Sequence, residues 1–122
     1  MEEPVDRLRA LCMALPEAWE KIAWSEPTFR VKKKQFAMFA AAENHHGAGR
    51  HAVWLPAPPG AKEMLIASRP EAFFNPPYVG VKGWVGIYLD EVDDTELGLH
   101  IRNAYLLVAP DKLAAKLTED DT

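Results

Sequence analysis

The chain has 122 residues, 48% of them hydrophobic, 10% aromatic and 26% charged, with a formal net charge of −4. That length suffices for one core without staples, and twelve aromatic residues at so low a net charge exclude a disordered chain. No run approaches the roughly 18 apolar residues of a spanning helix, a lone Cys12 makes no internal disulfide, and Met1-Glu2-Glu3-Pro4 is acidic where a secretory signal is basic; a cytoplasmic location without a membrane partner is expected.

The first element is a helix over Pro4 to Ala14, with proline at its first position and Val5, Leu8, Leu11, Cys12 and Leu15 at three-to-four spacing. Pro16 stops it. Glu17 to Trp24 then alternates as a strand, with Trp19 and Lys21 on one side and Ala18, Ile22 and Trp24 on the other. Ser25-Glu26-Pro27 reads as a turn. Thr28 to Val31 and Gln35 to Ala42 form a hairpin joined through Lys32-Lys33-Lys34. Phe36 and Met38 are expected on one face of its second arm, opposite Ala37 and Phe39. Apolar on both faces, that arm is expected to be central.

Glu43 to Arg50 is a loop, and Ala52 to Leu55 a short strand broken by Pro56-Ala57-Pro58-Pro59-Gly60. Ala61 to Arg69 fits two helical turns, with Ala61, Leu65 and Ser68 on one face and Met64 beside them. Pro70 to Pro77 is irregular, and Trp84 to Leu89 is the clearest strand. Asp93 and Glu96 carry capping chemistry for a helix striped by Leu97, Ile101, Ala104, Tyr105 and Val108. Pro110 closes that helix and opens a last one through Leu117. Runs of strands between helices imply an α+β domain, an antiparallel sheet with helices packed on it. A single domain is expected over residues 1–118, with an acidic tail at 119–122.

Catalytic chemistry finds little support. Ser25 and Ser68 stand outside any Gly-x-Ser-x-Gly, and Cys12 sits in the apolar stripe of the first helix, where a packed thiol is expected. His45, His46 and His51 share one loop, yet no Cys-x-x-Cys or His-Glu-x-x-His accompanies them, so no metal is expected. Gly80, Gly83 and Gly86 lead into a strand, whereas a phosphate loop opens a helix. Asp90, Glu91, Asp93, Asp94 and Glu96 are better explained by helix capping than by a cation. No cofactor and no enzymatic activity are expected. The densest charge feature is Arg30-Val31-Lys32-Lys33-Lys34 with Phe29 and Phe36 around it. At a hairpin tip such lysines either reach phosphates or guard a strand edge. Lys82, between Tyr78 and Trp84, makes a second patch.

Several stretches together resemble the MmcQ/YjbR family: Ala14-Leu15-Pro16-Glu17, Thr28 to Val31 with Lys34 to Ala37, Pro77 to Asp90, and Glu96-Leu97 through Ile101 to Val108. The likeness covers about residues 5–117, and its most specific part is Tyr78…Lys82-x-Trp84 followed by the Tyr105-Leu-Leu-Val helix ending. It implies a compact α+β fold similar to the CyaY-like sheet, also likened to a double-wing DNA-binding arrangement. Ala52 to Pro59 departs from the lysine and polar turn that the family often carries there. The resemblance implies weak, non-specific DNA binding at Arg30, Lys32, Lys33, Lys34 and Lys82. The alternative expectation is a non-enzymatic adaptor that binds a small ligand, peptide or protein in an aromatic groove of Tyr78, Trp84, His100 and Tyr105.

Overall fold

The computed structural model describes residues 3–42 and 49–119. In chain order these form α1 (Pro4–Met13), β1 (Ala18–Ala23), β2 (Glu26–Val31), β3 (Lys34–Ala40), β4 (Ala52–Leu55), α2 (Ala61–Ser68), β5 (Phe73–Phe74), β6 (Val85–Tyr88), α3 (Asp94–Val108) and α4 (Asp111–Glu119). The six strands make one sheet in the order β1-β2-β3-β4-β6-β5, with every neighbouring pair antiparallel. The fold class is α+β, and β3 lies centrally because both its faces are apolar.

The helices cover one face of the sheet. Leu8 and Cys12 of α1 and Leu97, Ile101, Ala104 and Tyr105 of α3 meet Phe29, Phe39, Val53 and Ile87 in the main core. Phe36, Ile87, Ile101 and Tyr105 share this core as the striping implies, each fully buried. Burying one such side chain stabilises the fold by about 1.5–3 kcal/mol. On the opposite face, Met38, Ala40, Ala52 and Trp54 form a smaller core beneath Phe74, Val79, Trp84 and Tyr88. Gly86 serves this second core by close approach: a Cβ there would run into the Phe74 ring.

Several local expectations are corrected. The turn expected at Ser25-Glu26-Pro27 lies one residue earlier, at Trp24 and Ser25, with Glu26 and Pro27 already in β2. Both turn residues have positive φ, 52° and 67°, the geometry that matches a tight hairpin to strand twist. Phe36 and Met38 do not share a face. Phe29 pairs with Ala37 and Arg30 with Gln35, so Phe36 is an extra residue in β3. That bulge turns Phe36 toward the helices and leaves Met38 on the other side. Lys34 belongs to β3, so the second turn is Lys32-Lys33 alone. Phe73-Phe74, expected to be irregular, is a sixth strand on β6. Helix α2 packs through Leu65 and Ile66, while Met64 and Ser68 are exposed. Helix α4 runs past Leu117 to Glu119.

Candidate functional site

Strand register sorts the charges to two ends of the molecule. Ala18 pairs with Val31, Val31 with Lys34, and Leu55 with Val85, which places the start of β1, the Lys32-Lys33 turn, the end of β4 and the start of β6 at one end. Lys82 closes a short 3-10 turn, Gly80–Lys82, just before β6. It therefore stands at the same end as the lysine turn, two to three strand spacings away, roughly 10–15 Å. Lys32, Lys33, Lys34 and Lys82 are all exposed. Lys62 anchors the Gly80–Lys82 turn by donating from Nζ to the Gly80 carbonyl at 2.8 Å and to Asn75 Oδ1 at 2.9 Å.

At the far end of β6 the carboxylates gather. Arg50 pairs with Asp90 at 2.8 Å and with Glu91 at 3.4 Å, its guanidinium lying 3.7 Å above the Tyr88 ring centroid. Asp93 caps α3 by accepting from the Glu96 N–H at 2.8 Å. The Glu96 side chain is turned instead to Arg69, which it holds through both oxygens at 2.9 and 2.7 Å. Arg7 donates to Asp94 and to the carbonyls of Leu89 and Val92. At the lysine end Glu17 accepts from Lys32 Nζ at 2.9 Å, and that bond holds its carboxyl below the usual carboxylate range. Among the described residues no carboxylate pairs with Lys33, Lys34 or Lys82.

Arg30 does not project with the lysines. It is half-buried on the face of the sheet away from the helices, donating to Thr28 Oγ1 at 3.1 Å and Gln35 Oε1 at 3.3 Å. Its guanidinium carbon lies 6.0 Å from the Trp19 ring centroid, because Trp19 is its cross-strand partner. Trp19 is 41% exposed, and its Nε1–H donates to the Lys32 carbonyl at 2.8 Å. Sequence reading placed Trp19 beside Lys21 on a strand face, but only the register sets it against Arg30 and the lysine turn.

The four groove residues are not brought together. Tyr105 is fully buried in the main core, its hydroxyl spent on the Pro16 carbonyl at 2.7 Å. Trp84 packs on the opposite face of the sheet, and Tyr78 is 73% exposed on a left-handed backbone with φ 65°. His100 lies on the helix side, edge-on to Phe73 with centroids 5.4 Å apart. Its apolar position pulls its pKa below the ordinary value, outweighing Glu96, whose Oε2 is 3.7 Å from Nε2. His100 and Asn103 line a cleft of about 270 Å³ with Leu55, Pro58, Leu65 and Val85.

Among the described residues, no three His, Cys, Asp or Glu side chains are placed to hold a metal. His51 accepts from the Ala42 N–H through Nδ1 at 3.0 Å and stacks on Phe39. His45 and His46 lie outside the described residues. Cys12 is buried, and burial pushes its thiol well above the ordinary range, so it carries no thiolate at neutral pH.

The sequence profile of the YjbR family matches residues 13–107, from the end of α1 almost to the end of α3. The chain belongs to the YjbR family. The matched span of this YjbR chain includes the lysine turn, Lys82 and both core faces. It is similar in structure to protein DR2400 of Deinococcus radiodurans, whose crystal structure carries the domain DUF419. The two share 24% sequence identity and a TM-score of 0.74 over 97% of this chain and 92% of that one. That likeness shows a common fold. No curated protein matches the sequence significantly. Among the described residues, no helix of this YjbR chain is long and apolar enough to cross a membrane.

Proposed function

We propose that this YjbR-family chain is a small non-catalytic binding protein that holds nucleic acid weakly, without sequence preference, through the lysine-bearing end of its sheet. The observation that carries the reading is the separation of charge. Residues 83–122 are net acidic, and in a linear view they oppose an anionic partner. In the fold, five of their nine acids (Asp90, Glu91, Asp93, Asp94 and Glu96) sit beyond the end of β6 remote from Lys32-Lys33, where Arg50, Arg69 and Arg7 already engage several of them. Helix α4, with Asp111 and Glu119, brings Lys116 toward Glu17 at the lysine end. A polyanion approaching the lysine end meets exposed cations with Glu17 as their one carboxylate partner among the described residues. Contacts to phosphate release counterions and carry no sequence information.

The test is a fluorescence anisotropy titration of a labelled duplex at about 50 mM salt, repeated as salt rises. Three to four phosphate contacts give log affinity against log salt a slope of about −3 to −4. Replacing Lys32, Lys33 and Lys34 together by Gln flattens that slope and leaves the fold intact, since all three side chains are exposed and outside the core. Absence of binding in low salt both to this duplex and to a single strand of the same length, or a slope that the triple variant leaves unchanged, rejects the reading.

A further inference from the structure

We infer that the nucleic acid taken by this surface is single-stranded, with an unpaired base stacking on the Trp19 ring while the adjacent lysines hold its phosphates. This rests on the nucleic-acid reading above and names the form of its ligand.

Trp19 stands on β1, the edge strand, on the face of the sheet away from the helices. The second core on that face draws on β3, β4, β5 and β6 and stops short of β1. A large aromatic ring is thus left 41% exposed, with the Arg30 guanidinium over part of it. Its polar atom is already satisfied. Nε1–H donates to the backbone carbonyl of Lys32, which fixes the ring against the lysine turn and leaves its exposed ring surface as the group it can offer. Arg30, pinned by Thr28 and Gln35, sets its guanidinium carbon over the ring, 6.0 Å from the centroid. Lys21 shares the face, two residues along the strand from Trp19 and about 6.6 Å from it. An exposed, oriented ring set among exposed cations has the components of a site for single strands, in which a basic surface follows the backbone and aromatic faces take the bases. A duplex has no use for the ring, because its bases stack on one another and expose only their edges in the grooves. Charge complementarity makes a polyanion the occupant, and the ring selects one with unstacked bases.

The wild-type protein is titrated by anisotropy with three labelled probes of equal length: oligothymidylate, the same backbone with abasic sites, and a mixed-sequence duplex. Oligothymidylate is expected to bind several-fold more tightly than the duplex, and about tenfold more tightly than the abasic strand, the scale of one base–aromatic stack. Trp19→Ala reduces oligothymidylate binding by about the same factor and leaves duplex binding unchanged. Trp19→Phe, which keeps a ring but loses the bond to Lys32, retains most of the affinity, and this separates stacking from bracing of the turn. Equal binding of the abasic and thymidylate strands, or an effect of Trp19→Ala that Trp19→Phe reproduces in full, overturns stacking while the electrostatic reading stands. Binding of none of the three probes overturns both.

Discussion

Phe36 stands edge-on to Tyr105, ring centroids 5.4 Å apart at 84°, and the Tyr105 hydroxyl donates to the Pro16 carbonyl at 2.7 Å. One pair of side chains therefore ties the β3 bulge to α3, and α3 to the link between α1 and β1. Truncating Phe36 to Ala is expected to cost about 3–5 kcal/mol in a urea unfolding series. Tyr105→Phe keeps the ring contact and loses only the hydrogen bond, about 1 kcal/mol. A loss below about 1 kcal/mol for Phe36→Ala would show that the bulge does not carry this ring into the core.

The β1–β2 turn is built from residues poorly suited to it. Trp24 and Ser25 both hold left-handed backbone, and Trp24 is 71% exposed, so its ring gains little from burial. Trp24→Asn with Ser25→Gly supplies the residues that this turn geometry favours and is expected to add about 1 kcal/mol of stability. The urea midpoint reads the change; a lowered midpoint would reveal a packing role for the Trp24 ring.

Stability should fall as the solution is acidified through the range of His100. Partial burial lowers its pKa in the folded state, while the unfolded chain titrates near the ordinary value of about 6.5. Between those values the unfolded state binds more protons. The contribution is therefore complete above about pH 6.5 and is lost as pH drops through the folded value. Glu96 and Arg69 flank the ring with opposite effects, the acid favouring and the guanidinium opposing protonation. His100→Gln should remove this part of the pH dependence, seen in melting curves at a series of pH values from neutral downward. An unchanged profile would place the titration elsewhere.

Zinc is expected to leave the melting temperature unchanged. His51 has committed Nδ1 to the Ala42 N–H and its ring to Phe39, which leaves a single nitrogen for any ligand. A metal that binds the native state must stabilise it by mass action. A saturable rise in melting temperature, abolished by His45→Ala together with His51→Ala, would contradict this.

Much of the fold was legible before any coordinates. Periodic apolar residues located α1, α3 and β6, because burying a face imposes a repeat of 3.6 or 2 on the side chains that cover it, and the proline break after Leu55 bounded the short apolar run of β4. Asp93 marked the start of α3 because the cap is local chemistry. The central place of β3 followed from its apolar character on both faces, and the resemblance around Tyr78, Lys82, Trp84 and Tyr105 pointed to the family that the profile match establishes. Lys32 to Lys34 were likewise visible as a basic turn.

What escaped the sequence depended on partners distant along the chain. The bulge at Phe36 arises from how β2 and β3 align, and the two-residue β5 exists because β6 offers it an edge. Tyr105 reads equally as a groove or a core residue until the Pro16 carbonyl is seen to take its hydroxyl. The candidate site is also a product of register: Trp19 meets Arg30 eleven residues on, and the Lys32 carbonyl accepts its N–H, only because β1 and β2 pair as they do. Local composition thus determined which segments are helix, strand or basic turn, since those choices rest on each residue's own geometry and its near neighbours. Which faces stay exposed, and which charges end up together, was decided by tertiary pairing, because an antiparallel register joins residues by position across strands and not by distance along the chain.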